Sequence, residues 1–331
     1  MKILVEMPQG AVSASFLNEQ NVAFIESLGD VIWNPRDRHF TPEEFRDALE
    51  DVDVCICGWG VPKFDEFVLE KAGNLKIIAY TAGSVARVVT DAVYEKGIHV
   101  LSGNEAFAIC VAEGTVGYMI AALRDLRGNE RLMQQNGWKP ALFSNRTLLE
   151  KTVGIVGYGS ISKYLLEMLK PFRVKILLYS NHTTEEEAQR LGVKKATLEE
   201  IFTACDIVSL HCARSPATYH LVNRQLLDRM KPGALIVNTS RGDVIDEQVL
   251  TEYLAAGKIC AALDVFEKEP LAMDSPLRQL DNVYLQPHLG GPTMDYRCAA
   301  ARLVLEDIRR YQLGQPMENE ISRQRSAMMT K

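Results

Sequence analysis

Along almost the whole chain, short apolar runs bounded by turn formers alternate with stretches in which apolar residues recur at helical spacing. The runs read as strands buried on both faces, and the stretches between them as helices with one apolar side. Strands are predicted at Ile3–Val5, Val31–Trp33, Val52–Cys57, Ile77–Tyr80 and His99–Leu101, then at Val153–Val156, Val174–Tyr179, Ile207–Leu210, Ala234–Thr239, Cys260–Val265 and Val283–Leu285. Helix starts carry their own marks. Thr41-Pro-Glu-Glu44 has the form of a capping box with Pro at the first helical position, Thr184-Glu-Glu-Glu187 and Thr197-Leu-Glu-Glu200 repeat the box, and Thr90-Asp91 opens a helix that ends at Gly97. Further helices are expected at Glu247–Ala256 and, as the last, at Thr293–Leu313. Such alternation is what parallel sheets covered on both faces require, so the fold class is α/β.

One stretch departs from the amphipathic pattern. Ala106–Leu126 reads as a long helix that is apolar almost all round as far as Leu123, yet Glu113 interrupts it and Gly114 and Gly117 suit close packing. It is expected to be a buried core helix and not a membrane span. At 331 residues the chain exceeds one comfortable core, so two domains are expected. A net charge of -6 with mixed signs and no basic stripe argues against nucleic acid and leaves a small molecule as the expected partner. Seven Cys without paired spacing suit reduced thiols filling a core, Cys55 and Cys57 lie within a predicted strand, and no metal site is expected. Lys2–Pro8 is too short, and too soon broken by Glu6, for a signal peptide, and the reduced thiols point to a cytoplasmic protein.

The chemistry begins at Thr152-Val-Gly-Ile-Val-Gly-Tyr-Gly-Ser-Ile-Ser162, where a buried strand runs through paired glycines into a helix. Gly157 permits the tight turn, Gly159 lets backbone N–H groups approach an anion, and the helix opening at Ser160 adds the positive end of its dipole, so a dinucleotide pyrophosphate suits this place. The third glycine of the fingerprint is Ser162. Three more segments put titratable side chains just past strand ends, where ligands bind in open α/β sheets: Asn238–Asp246, Ala261–Leu271 and Gln286–Thr293. Arg241, Glu269 and His288 each read alone as ordinary surface or loop residues. Together they are the set that holds a carboxylate, moves a proton and tunes the proton carrier.

The chain resembles the D-isomer-specific 2-hydroxyacid dehydrogenase family over nearly its full length. The phrases at 230–243 (Met-Lys-Pro-Gly-Ala-Leu-Ile-Val-Asn-Thr-Ser-Arg-Gly-Asp), 263–271 (Leu-Asp-Val-Phe-Glu-Lys-Glu-Pro-Leu) and 287–291 (Pro-His-Leu-Gly-Gly) are close to that family's signatures. The resemblance implies a Rossmann-type doubly wound nucleotide-binding domain, residues 104–288, inserted into a smaller flavodoxin-like substrate-binding domain made of 1–103 plus 289–331, with hinges around an active cleft. It implies NAD or NADP as cofactor, a 2-hydroxy or 2-oxo acid as substrate, and a homodimer formed through the nucleotide-binding domain by the long helix and its arm toward Trp138.

The resemblance also implies roles. Arg241 would grip the substrate carboxylate and polarise the neighbouring carbonyl, His288 would be the acid–base, and Glu269 would hydrogen-bond His288 and stabilise its imidazolium. Asp264 resembles the residue that orients the nicotinamide. Ser160, Ile161, His211, Cys212 and Thr239 would line the rest of the cofactor, and the backbone N–H groups of Ala82, Gly83 and Ser84 would meet the substrate carboxylate. Trp59, between Gly58 and Gly60 past a strand end, is the candidate reader of the substrate side chain.

The departures carry information too. Thr81-Ala-Gly-Ser-Val-Ala-Arg-Val88 lacks the acidic residues usual in the family's loop. The acid expected about 20 residues after the glycine loop is absent, with Ser180 and Asn181 in its place and no Arg beside them, which leaves NADP open alongside NAD. A formate dehydrogenase would have Gln at Glu269, whereas a phosphite-oxidising relative would keep all three residues. A reading from another class, an NAD(H)-binding corepressor or scaffold of the same fold, would show little turnover.

Overall fold

The computed structural model describes residues 1–139 and 145–330. By its internal contacts the chain divides into two compact units, one of Met1–Ala108 together with the segment from Pro292 onward, the other of Ile109–Gly291.

In the first unit, β1 (Lys2–Val5), β2 (Asp30–Trp33), β3 (Val54–Cys57), β4 (Ile77–Tyr80) and β5 (His99–Ser102) form a parallel sheet in the order β2-β1-β3-β4-β5. This is the flavodoxin-like order, in which the direction of winding reverses between β1 and β3. Successive strand residues serve opposite faces: Leu4 packs with Phe45, Phe64 and Val93, while Ile3 and Val5 pack with Phe16, Ile25 and the buried side of helix Arg297–Gln312. Both faces being covered, the central strands are apolar throughout instead of alternating.

The second unit holds β6 (Thr152–Val156), β7 (Lys175–Tyr179), β8 (Lys194–Lys195), β9 (Ile207–Leu210), β10 (Leu235–Asn238), β11 (Cys260–Leu263) and β12 (Val283–Leu285). They form a seven-stranded parallel sheet in the order β12-β11-β10-β9-β6-β7-β8, with the reversal between β6 and β9. This is the Rossmann order extended by one strand.

Several local expectations change. The long helix is Asn104–Arg124; Asp125 turns left-handed (φ 49°) and caps a separate helix, Leu126–Gln134, by accepting the Gly128 N–H at 3.1 Å. Asn104–Arg124 is long and apolar enough by length and composition to cross a membrane, and its Ala112, Met119 and Leu123 are buried in the core of the second unit. The helix expected at Thr293 begins at Arg297 after a turn tied by Tyr296 N–H to the Thr293 carbonyl, and a further helix, Arg323–Met328, follows it. Strand β7 is only partly buried, because its outer neighbour β8 is a two-residue edge strand whose lysines give no apolar signal. Thr41 and Thr197 complete their capping boxes, but Thr184 makes only the forward bond to Glu187, and the Thr90 hydroxyl donates to the Phe64 carbonyl and caps nothing. All seven cysteines are free; Cys55, Cys57, Cys110 and Cys205 are buried, Cys212 and Cys260 are partly buried against the cores of the second unit, and Cys298, also partly exposed, is not core filler.

Candidate active site

In the second unit the glycine loop lies at the sheet's reversal point. Gly157 has φ +99°, and a Cβ there would stand 2.7 Å from the Cys212 nitrogen and 2.8 Å from the His211 carbonyl carbon, so both conformation and space demand glycine. His211 and Cys212 follow β9, which makes this close approach the junction of the two halves of the sheet. Gly159 caps helix Ser160–Leu169 without a side chain, and a Cβ on it would meet nothing within 4 Å. The first turn therefore opens its positive end toward free space, the arrangement that receives a phosphate. Ile161 packs on the core below. Ser162, where the fingerprint has a third glycine, is fully buried and donates its hydroxyl to the Gly157 carbonyl at 2.8 Å, so it ties the turn from beneath.

Around this loop stand the other cofactor candidates. Ser180 is buried just past β7, its hydroxyl accepting the His182 N–H at 3.3 Å, while Asn181 and His182 are exposed. The buried Thr183 hydroxyl has no partner among the described residues. His211 Nε2 meets the Ser209 hydroxyl at 2.8 Å, its buried Nδ1 has no partner among the described residues, and burial pulls its pKa down to about 4. Burial pushes the Cys212 thiol up to about 11. Thr239 is buried against Thr115, hydroxyl to hydroxyl at 3.0 Å.

The loops after β10, β11 and β12 carry the charged residues. Asn238 ends β10 and ties the next turn: its Oδ1 accepts the Ser240 N–H (3.0 Å) and hydroxyl (2.8 Å), and its Nδ2 donates to the Arg241 carbonyl at 2.8 Å. Arg241 Nη1 donates to the Ser240 carbonyl at 2.7 Å, and the buried Asp243 pairs with Arg214 at 2.6 Å. A Cβ on Gly242 would lie 1.8 Å from the Phe266 carbonyl carbon, so the Arg241 loop and the loop after β11 touch backbone to backbone. Glu269 folds that second loop back by accepting the Phe266 N–H at 3.1 Å with Oε1, and its Oε2 meets His288 Nδ1 at 2.7 Å.

Asp264 anchors the His288 loop. Its carbonyl accepts the His288 N–H at 2.8 Å, and its buried carboxylate accepts the N–H groups of Leu289 (2.8 Å) and Gly290 (2.9 Å), with the Tyr118 hydroxyl at 3.5 Å. A Cβ on Gly290 would come within 2.6 Å of that carboxylate. These bonds hold His288 at φ +56°, a conformation a non-glycine residue keeps only when its surroundings impose it. With the Glu269 carboxylate accepting, Nδ1 carries the hydrogen, and Nε2 is left to accept a proton when the ring is neutral and to donate one when it is charged.

In the first unit, Ala82-Gly83-Ser84 follow β4. Their backbone N–H groups make no hydrogen bond among the described residues, while the carbonyls of Ala82 and Gly83 accept the Ser102 hydroxyl. The Ser84 hydroxyl donates to the Thr330 carbonyl at 2.6 Å. Trp59 follows β3 and is 41% exposed, held edge-on by Phe16 (5.2 Å between ring centroids) and Phe107 (5.8 Å). It is half-buried, between core and surface.

The anchoring part of Asp264 escaped sequence reading, as did the turn-tying part of Asn238, although Asn-x-Ser after a buried strand is a turn signal of the kind that could have found it.

Comparison with known proteins follows the same division. Residues 116–290 match the family described as "D-isomer specific 2-hydroxyacid dehydrogenase, NAD binding domain". The D-3-phosphoglycerate dehydrogenase of Methanocaldococcus jannaschii is 35% identical over 97% of this chain and 59% of its own length, and the hydroxypyruvate reductase of Thermotoga maritima is 34% identical over 78% of this chain and 84% of its own. The chain spans between about half and three-fifths of the length of the phosphoglycerate dehydrogenases it matches. Among solved structures, the apo D-lactate dehydrogenase of Escherichia coli superposes with a TM-score of 0.72 at 27% identity, covering 97% of this chain and all of that one.

Proposed function

The chain belongs to the D-isomer-specific 2-hydroxyacid dehydrogenase family, and on that premise we propose that it interconverts a D-2-hydroxy acid and the matching 2-oxo acid with NAD or NADP. The observation that carries the reading is the 2.7 Å contact of Glu269 with His288 Nδ1, which leaves Nε2 as the proton-transferring atom. The glycine loop suits the dinucleotide: Gly157 is required by its neighbours, and the uncapped helix behind Gly159 offers donors to a pyrophosphate. When bound, the nicotinamide supplies or accepts the hydride.

The protein's own residues do the rest. Arg241 holds the substrate carboxylate with two parallel N–H donors and polarises the adjacent carbonyl oxygen as charge develops on it. In reduction, imidazolium Nε2 of His288 gives its proton to that oxygen; in oxidation, neutral Nε2 removes the hydroxyl proton. Glu269 orients the ring through its contact with Nδ1. Asp264, besides anchoring the His288 loop, is assigned to the nicotinamide side of the site, and Ser160, Ile161, Ser180, Asn181, His211, Cys212 and Thr239 to the remainder of the cofactor. The backbone of Ala82, Gly83 and Ser84 and the ring of Trp59 are the first unit's contribution to substrate binding. In this reading residues 104–288 serve as the NAD(P)-binding domain and 1–103 plus 289–331 as the substrate-binding domain.

The protein is further proposed to work in the cytoplasm as a homodimer formed through its nucleotide-binding domain, without nucleic acid or membrane. Leu126 and Met133, both on helix Leu126–Gln134, and Trp138 are exposed apolar residues suited to such an interface. A panel of 2-oxo acids assayed with NADH and NADPH tests the reading. Turnover of at least one supports it, and nucleotide binding without turnover of any would point to the corepressor or scaffold class.

A further inference from the structure

The first unit has a reversal point of its own, between β1 and β3, and in open α/β sheets ligands bind beyond the strand ends at such a point. Met7 follows β1, and Gly58, Trp59 and Gly60 follow β3. A Cβ on Gly58 would lie 3.1 Å from the Met7 methyl, so the two strand ends meet there. Gly60 has φ +90°, and a Cβ on it would lie 2.5 Å from His39 Nε2. His39 is in turn gripped by the buried Glu6 carboxylate at 2.9 Å. The Trp59 loop is thus packed against Met7 at the end of β1 and against His39.

Over it lies Arg297, from the first turn of helix Arg297–Gln312. Its guanidinium carbon is 5.0 Å from the Trp59 ring centroid and 5.7 Å from that of Phe16, within cation–π range of both. Its hydrogen bonds are nearly unmade. Nη1 reaches the Ser15 hydroxyl only at 3.4 Å, and among the described residues the buried Nε has no partner and no carboxylate pairs with this arginine. Farther along the helix Arg310, by contrast, is bound by Asp307 and Glu318. A buried guanidinium donor without an acceptor is costly unless a ligand supplies one, and a planar fork steadied by aromatic rings is suited to a carboxylate or phosphate.

We propose that the strand ends at the β1–β3 reversal form a subsite in which Arg297, steadied on Trp59 and Phe16, binds an anionic group, carboxylate or phosphate, on the substrate side chain that Trp59 is proposed above to read. The proposal rests on the 2-oxo acid reading above and narrows it: the preferred substrate carries a second negative charge.

The test compares two matched pairs as substrates with NADH: 2-oxobutyrate against oxaloacetate, and hydroxypyruvate against 3-phosphohydroxypyruvate. Wild type is expected to favour the anionic member of at least one pair. In Arg297→Gln the anionic-to-neutral ratio of kcat/KM for that pair should fall about tenfold or more, as loss of a charged hydrogen bond implies, with partial recovery in Arg297→Lys. The responding pair distinguishes carboxylate from phosphate. Arg297→Met, whose unbranched stem keeps Trp59 covered, repeats the test should the Gln variant fail to fold. No anionic preference in wild type, or a ratio unmoved by removal of the charge, overturns the subsite. If no 2-oxo acid is reduced, the enzymatic reading itself falls, and thermal shifts with oxaloacetate and inorganic phosphate then judge the subsite alone. Stabilisation of wild type that is lost in the Gln variant supports it; equal shifts, or none, overturn it.

Discussion

The His288 N–H donates to the Asp264 carbonyl at 2.8 Å while the carboxylate of the same aspartate accepts the next two N–H groups of the chain, so one buried residue dictates the left-handed backbone of the proposed acid–base. Asp264→Ala removes the acceptor for both N–H groups. Leaving the buried Gly290 donor unmatched should cost about 1–3 kcal/mol of stability. Turnover should fall as His288 drifts, more steeply than KM rises, toward the loss of about a hundredfold or more expected of His288→Gln. His288→Gln should keep NADH affinity, because proton transfer contributes to the transition state and not to dinucleotide binding. Wild-type turnover in His288→Gln would remove His288 from this role.

Arg241→Lys keeps the charge and loses the fork. Both a higher KM and a lower kcat are expected, with kcat/KM down about tenfold to a hundredfold, since the same donors hold the carboxylate and meet the developing charge on the carbonyl oxygen. Near-normal kinetics in the Lys enzyme would make Arg241 a structural residue.

Coenzyme preference should be shallow, within about a factor of ten between NADH and NADPH. Ser180 and Asn181 offer neither the carboxylate that repels a 2′-phosphate nor the guanidinium that grips it. In Ser180→Asp the new carboxylate can retain the bond from the His182 N–H that Ser180 now accepts, and the kcat/KM ratio should shift clearly toward NADH. An unchanged ratio would show that the ribose is read elsewhere.

His211 links stability to pH. Burial holds its folded-state pKa at about 4, below the value near 6.5 of a free imidazole, so the unfolded chain takes up this proton first as pH falls. The stability contributed by neutral His211 is complete above about pH 6.5 and is lost between there and pH 4, at up to about 1.4 kcal/mol per pH unit. Urea unfolding at pH 7 and pH 5 should show this loss in wild type and a smaller one in His211→Asn. Equal losses in the two proteins would assign the effect to other groups.

Trp59→Ala should reorder 2-oxo acids of different side-chain size, because pocket contacts discriminate by about 1–3 kcal/mol per methylene-sized difference. Its 41% exposure places the stability cost below the roughly 3–5 kcal/mol of a fully buried tryptophan. A melting temperature lowered as far as core loss would lower it, with substrate ranking unchanged, would identify Trp59 as packing alone.

How much of this was legible in the chain depended on the range of the interaction responsible. Strands such as Ile207–Leu210, the capping boxes of Thr41 and Thr197, and the turn at Gly157 were determined by the sequence itself, because burial on both faces, cap bonding and a left-handed φ each act within a few residues. The positions of Arg241, Glu269 and His288 past strand ends were legible for a related reason: each follows an apolar run, and strand ends are where a parallel sheet exposes its loops. What the sequence could not disclose was which side chains meet once the chain returns on itself. Lys194 and Lys195 become a strand only because β7 offers them an edge, and Gly242 must lack a side chain only because Phe266 crosses it. Asp264 anchors His288 only because β11 and β12 lie side by side. Arg297 comes to rest on Trp59 because helix Arg297–Gln312 packs across the sheet that ends in that tryptophan, a contact between residues at opposite ends of the chain. Those pairings are set by the packing of whole layers, and only the tertiary structure, in which the layers are assembled, decided them.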